Sequence, residues 1–194
     1  MFKFIHTTIH RIANGWSYAI FGLFAALSVA IVNLADFSWT MSGFNQLTQG
    51  AGILDLKWHY DAESAYRLLA AQGEAGRTRY RLGLWTLDIV IPVVVSLWLA
   101  IGITLAQRRL IGWQRRARYL SLLPIAAGLS DLLENISITV LLSAYPYRLT
   151  WLANVAGYVT TAKHLLYLGS IILVVLGWGL VAFRKQCCAI PSQL

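Results

Sequence analysis

Five ionisable side chains, Asp88, Asp131, Glu134, Lys163 and His164, stand in stretches otherwise apolar enough for lipid. A charge near the centre of a bilayer costs about 2.5–3.5 kcal/mol on insertion scales. Such groups therefore face the interior of a helix bundle, find partners there, and mark sites of binding or proton transfer. Asp131, Glu134 and Asn135, in the run SDLLEN, are related by i, i+3 and i+4 and share one helical face. Thr160, Lys163, Tyr167 and Ser170 form a second polar stripe at helical spacing. Three carboxylates against the single lysine leave negative charge to be balanced by a proton, by His164 or by a bound cationic ligand. That surplus suits general acid–base chemistry or proton coupling. The same residues also fit a buried charge network that only fixes helix packing and register.

The elements that must position these groups are membrane helices. A hydrocarbon core about 30 Å thick requires about 20 helical residues. Four stretches qualify, at about 16–34, 84–106, 119–143 and 155–183, in a chain of 194 residues that is 58% hydrophobic and only 12% charged. The expectation is one all-α membrane domain over residues 1–194, a four-helix bundle with a short interfacial helix in a long outer loop at about 35–83. Glu134 lies about nine residues from the outer end of the third helix and Lys163 a similar distance from that of the fourth, so a rise of about 1.5 Å per residue sets them level. Asp88 falls about one turn above Glu134 and Asp131 about one turn below it. Pro92 has no N–H for the carbonyl of Asp88, which predicts a kink and a free acceptor beside that carboxylate. Asn33, near the outer end of the first helix, is placed to extend the lining.

Orientation follows from the basic residues. The net charge of +8 is concentrated beside the apolar stretches, at Lys3 and Arg11, in RRLIGWQRRAR, and at Arg184 and Lys185. By the positive-inside rule both termini are cytoplasmic, in a multi-pass protein of the cell membrane such as the bacterial inner membrane. The outer loop carries Asp36, Asp55, Asp61, Glu63 and Glu74. Trp16, Trp113 and Trp178 fit the inner interface, Trp39, Trp85 and Trp151 the outer one, and Trp58 the outer loop. The charge is accounted for by orientation, with no basic stripe for nucleic acid. The first apolar run is longer than a signal-peptide core, which predicts that it is retained.

Within the loop, Asp61 can cap a helix over 61–71, Tyr66, Leu69 and Ala70 fall on one face, and Gly73 can supply a left-handed stop. The helix is expected along the membrane surface. Arg77, Arg79 and Arg81 follow at the entrance of the second span, where they can contact a lipid phosphate or another anionic ligand, or simply snorkel to the interface. Cys187 and Cys188 are adjacent, a spacing that matches neither a metal cluster nor a thiol oxidoreductase. His6 and His10 are spaced i, i+4 without nearby acids, and one intramembrane histidine cannot make a bis-histidine haem. No metal and no cofactor are expected.

At Tyr60, Ala65, Leu68, Gly73, Gly76, Arg77 and Tyr80, then Asp88, Pro92 and the run Asp131 to Asn135, the chain resembles a family of small uncharacterised bacterial membrane proteins. The resemblance covers about half the chain and implies four helices with no particular activity. More distantly, the expected architecture is similar to that of the sterol isomerase and sigma-2 receptor group, and no site residue carries across.

Two kinds of function fit. One is a lipid or small-molecule site, with or without catalysis, drawn from Asp88, Asp131, Glu134, Asn135, Lys163, His164 and Tyr167. The other is a noncatalytic membrane subunit or scaffold whose charges pair internally or with a partner helix. A cavity lined by Asp88, Glu134, Asn135 and Lys163 favours the first, and tightly paired charges without a cavity favour the second. Four helices are few for a transporter, so transport would require a homo-oligomer.

Overall fold

The computed structural model describes residues 2–34, 40–110 and 119–188. Among these there is no strand, and the helices are α1 (Phe2–Ile12), α2 (Gly15–Leu34), α3 (Met41–Thr48), α4 (Ala62–Ala71), α5 (Gly73–Leu84), α6 (Leu87–Arg109), α7 (Leu123–Ala144) and α8 (Thr150–Cys188). A short 3-10 turn, Leu120–Leu122, leads into α7. The expectations for Asp36, Trp39, Trp113 and the basic run 111–118 fall outside the described residues, as do the side chains of Lys3, Cys187 and Cys188.

Four segments are long and apolar enough to cross a membrane: Gly15–Leu34, Gly73–Arg109, Leu120–Ala144 and Thr150–Gln186. A helix satisfies its own backbone hydrogen bonds, the requirement that lipid imposes. Their outer surfaces agree, because α2 exposes Ile20, Leu23, Phe24 and Leu27 while α8 exposes Leu165, Ile171, Ile172 and Val175. Apolar stripes of that extent are costly in water and ordinary against acyl chains. These are the lengths and surfaces of a multi-pass membrane protein.

Helix α6 touches α2, α7 and α8, and the most extensive contact is between α7 and α8. Small residues let the helices approach, as between transmembrane helices generally. A Cβ added at Gly128 on α7 would meet the Ser96 hydroxyl at 2.6 Å and the Pro92 carbonyl at 3.5 Å, both on α6. At the opposite end of α6, Arg108 donates to the carbonyls of Ala13, at 2.6 Å, and His10, supplying the partners that the end of α1 lacks.

The segment between α2 and α6 departs from the expectation of one surface helix. Helix α4 forms as predicted, with Asp61 accepting from the Ser64 amide at 2.8 Å and Gly73 left-handed at φ +66°. Its buried face is Ala62, Ala65, Tyr66 and Leu69 with Leu68, whereas Ala70 is exposed because it lies about 100° beyond Leu69 around the helix. That face packs on protein, chiefly α8, and the Leu149 amide donates to the Tyr66 hydroxyl at 2.6 Å. Residues 73–84, expected at the end of the outer loop and the entrance of the second span, are helical and form α5. Three glycines and three arginines obscured the apolar stripe, yet Gly76, Tyr80 and Leu84 recur every fourth residue and are buried. The main core joins this segment to α7 and α8 through Leu54, Tyr60, Leu69, Tyr80, Ile138 and Leu141.

Candidate functional site

Lys163 is the centre of the polar cluster. The stripe on α8 turns it toward the SDLLEN face of α7, and only 6% of the lysine remains exposed. Its ammonium pairs with Glu134, which is fully buried, and lies 3.3 Å from Asp131 Oδ1. It also donates to the backbone carbonyl of Asp55 at 3.3 Å. Thr160 donates to Glu134, and the Tyr167 hydroxyl lies 3.5 Å from Asp131 Oδ2 and 3.3 Å from Ser96 Oγ. The expected pairing at matched depth is therefore present, and its lysine serves two carboxylates. Removing one member of such a buried set costs about 3–5 kcal/mol, because an unpaired charge is left behind.

Asn135 has a different task. Pro92 leaves the Asp88 carbonyl without a helical donor, and Asn135 Nδ2 fills that place at 3.1 Å, with the Leu84 carbonyl at 3.4 Å. The side-chain amide thus spans the break between α5 and α6. Of the Asp88 carboxylate, Oδ2 is buried with no hydrogen-bond partner among the described residues.

The structure adds residues that sequence reasoning had left in the outer loop. Residues 51–60 dip against α8, so that Asp55 is only 8% exposed. Tyr80 on α5 donates to the Asp55 carboxylate and accepts from the Leu54 amide at 3.0 Å. His59 Nδ1 lies 3.2 Å from both the Gly157 carbonyl and Thr161 Oγ1, and Thr161 donates to the Trp58 carbonyl at 3.0 Å. The Tyr60 carbonyl rests on Gly157, where any Cβ would overlap it. Burial pushes the Tyr60 phenol well above its ordinary pKa, with the charges of Glu134 and Asp55 adding to the shift. Tyr60 therefore stays neutral. The readable signals were Asp55 set in the apolar run AGILDL and tyrosines at 60 and 80 in an otherwise polar loop.

A cavity of about 520 Å³ opens between α2, α3, α5 and the start of α6. Its wall is largely apolar, including Val32, Phe44, Ile53 and Ile91, and its polar groups are concentrated in Asp55, Asp88, Arg79 and Tyr80. That size and lining are typical of sites for small, mostly apolar ligands. Of the residues expected around one cavity, Asp88 lines it, while Asp131, Glu134, Lys163 and Tyr167 form the ion-paired network and Asn135 braces the helix break. His164 turns away, its Nδ1 2.8 Å from the Thr160 carbonyl of its own helix and its ring 5.1 Å from that of Trp58. Asn33 is exposed and donates to the Val29 carbonyl of its own helix, so it does not extend the lining. The three arginines divide: Arg79 lines this cavity, and Arg77 and Arg81 line another.

The rings of His6 and His10 on α1 lie with centroids 4.3 Å apart, tilted 38° to one another. Burial, together with the neighbouring His6 and Arg108, lowers the pKa of His10. Among the described residues no three His, Cys, Asp or Glu side chains are grouped as metal ligands. Compared with known protein families, curated proteins and solved structures, the chain matches none.

Proposed function

We propose that the chain is a multi-pass protein of the cell membrane with cytoplasmic termini, that its four spans close into a bundle, and that α4 caps the bundle at the outer interface. In that frame its function is to bind one lipid or small amphipathic molecule in the cavity between α2, α3, α5 and α6. The apolar body of the ligand lies against Val32, Phe44 and Ile91, and its cationic or proton-donating head meets Asp88 and Asp55. One observation carries this reading: a mostly apolar cavity ends at two carboxylates and one guanidinium, so that its polar end carries a net negative charge, and one oxygen of Asp88 is buried there without a partner. Charge balance supports it, since four carboxylates, Asp55, Asp88, Asp131 and Glu134, stand against two cations, Arg79 in the cavity wall and Lys163, the one buried lysine among the described residues.

The tightly closed pairing at Lys163 favours the scaffold reading for that part of the molecule. Asp131, Glu134 and Lys163 then serve as the brace behind the site. The test is mass spectrometry of molecules retained when the protein is extracted into nanodiscs without detergent, for the wild type and for Ile91→Trp, which puts a larger ring into the cavity between its apolar wall and Asp88. A discrete molecule present in the first and lost in the second supports the reading. Identical retained molecules in both would refute it.

A further inference from the structure

The second cavity is chemically unlike the first. It has a volume of about 310 Å³ and lies between α5 and the turn joining α7 to α8, lined by Glu74, Arg77, Thr78 and Arg81 on one side and Leu142, Tyr145 and Pro146 on the other. Arg77 and Arg81 are one helical turn apart and so share a face, whereas Arg79 is rotated about 160° away from each and belongs to the other cavity.

Arg77 is held in place from two directions. Its Nη1 donates to the Leu69 carbonyl at 2.9 Å, and its guanidinium lies 4.1 Å from the centroid of the Tyr145 ring. Both contacts order the side chain and leave further N–H groups for a ligand, so little rotamer entropy remains to be lost on binding. Arg81, by contrast, makes no hydrogen bond or ion pair among the described residues. Two guanidinium groups, the side chains of Thr78 and Tyr145 and one carboxylate thus line a hollow with a net charge of +1. Forked N–H donors one turn apart match the oxygens of a phosphate, and the single positive excess matches a phosphodiester monoanion. Glu74, on the same wall, suits an ammonium carried by that ligand.

We propose that this cavity is a phosphate-binding site, separate from the carboxylate cavity, in which Arg77 is the fixed arm and Arg81 the arm that closes on the phosphate. A lipid headgroup and free phosphate share that chemistry. The experiment uses the full-length protein in nanodiscs and native mass spectrometry. The probes are phosphatidylglycerol, phosphatidylethanolamine, diacylglycerol of the same chains, and inorganic phosphate as competitor. Retention of the two phospholipids over diacylglycerol, reduced roughly tenfold by Arg81→Gln through loss of charge-assisted hydrogen bonds, identifies a lipid phosphate. Binding of inorganic phosphate with the same dependence on Arg81, and no phospholipid preference, identifies the free anion. Equal retention of diacylglycerol without phosphate binding, or binding unchanged in Arg81→Gln, overturns the proposal. Arg81→Gln is the informative variant because Arg77→Gln would also remove the contacts with Leu69 and Tyr145. Asp88→Asn should leave phosphate binding intact, so this outcome is independent of the ligand proposed for the first cavity.

Discussion

Asn135 Nδ2 lies 3.1 Å from the backbone carbonyl of Asp88, the acceptor that Pro92 four residues later cannot serve. One helix thereby repairs, with a side chain, the ladder broken in its neighbour. The repair also holds the Asp88 end of α6 beside α7, with one carboxylate oxygen of Asp88 left unpartnered at the cavity.

Asn135→Ala should therefore destabilise the protein by about 1–3 kcal/mol, the cost of a buried acceptor left without its donor. In a Pro92→Ala background the backbone N–H returns and the same substitution should cost clearly less. Thermal unfolding of the four proteins in detergent gives the coupling. An equal loss in both backgrounds would show that the amide does not stand in for the proline's missing donor.

The Lys163 network predicts a second coupling. Lys163→Met strands Glu134 and Asp131 and should cost about 3–5 kcal/mol, and adding Glu134→Gln should recover much of that loss. Strictly additive losses in the double-mutant cycle would mean that the two residues do not interact.

Much of this network is legible from periodicity alone. SDLLEN and the Thr160, Lys163, Tyr167, Ser170 stripe each describe one face of a helix, and equal distance from the helix ends sets Glu134 opposite Lys163. Asp55 is not legible in that way. Its burial comes from docking of residues 51–60 onto α8, and no local pattern reports contacts 26 or 98 positions apart, such as Leu54 with Tyr80 and His59 with Gly157. The division of Arg77, Arg79 and Arg81 between two cavities is hidden for a related reason. Once residues 73–84 are known to be helical, a step of about 100° per residue separates the middle arginine from the other two.

The docking of that loop rests on Gly157. Gly157→Ala would place a methyl group in the Tyr60 carbonyl, and the overlap should cost about 1–3 kcal/mol and lift the loop. Hydrogen exchange at the Leu54 amide, which donates to the Tyr80 hydroxyl, should then accelerate. Gly179→Ala, on the same helix but with open space around it, should be neutral or slightly stabilising. Unchanged Leu54 exchange in Gly157→Ala would contradict the docking.

The cap of α4 predicts a pH response. Hydrogen bonding from Ser64 lowers the pKa of Asp61, so its contribution is present above the ordinary aspartate value and is lost as pH falls through the depressed one. Amide exchange in α4 should rise over that acidic interval in the wild type. Asp61→Asn keeps an acceptor without the charge, and should remove this pH dependence while leaving α4 formed. Persistence of the same pH dependence in Asp61→Asn would assign it to another group.

In the proposed function, Asp88 and Asp55 recognise a cationic or proton-donating head on an apolar body. The most direct measurement compares binding of octylammonium and octanoate, equal in chain length and opposite in charge, to the protein in nanodiscs of neutral lipid. The wild type should bind octylammonium at least about tenfold more tightly, and Asp88→Asn should remove most of that preference without changing the melting temperature. Equal binding of the two probes, or a preference that survives Asp88→Asn, would contradict the claim.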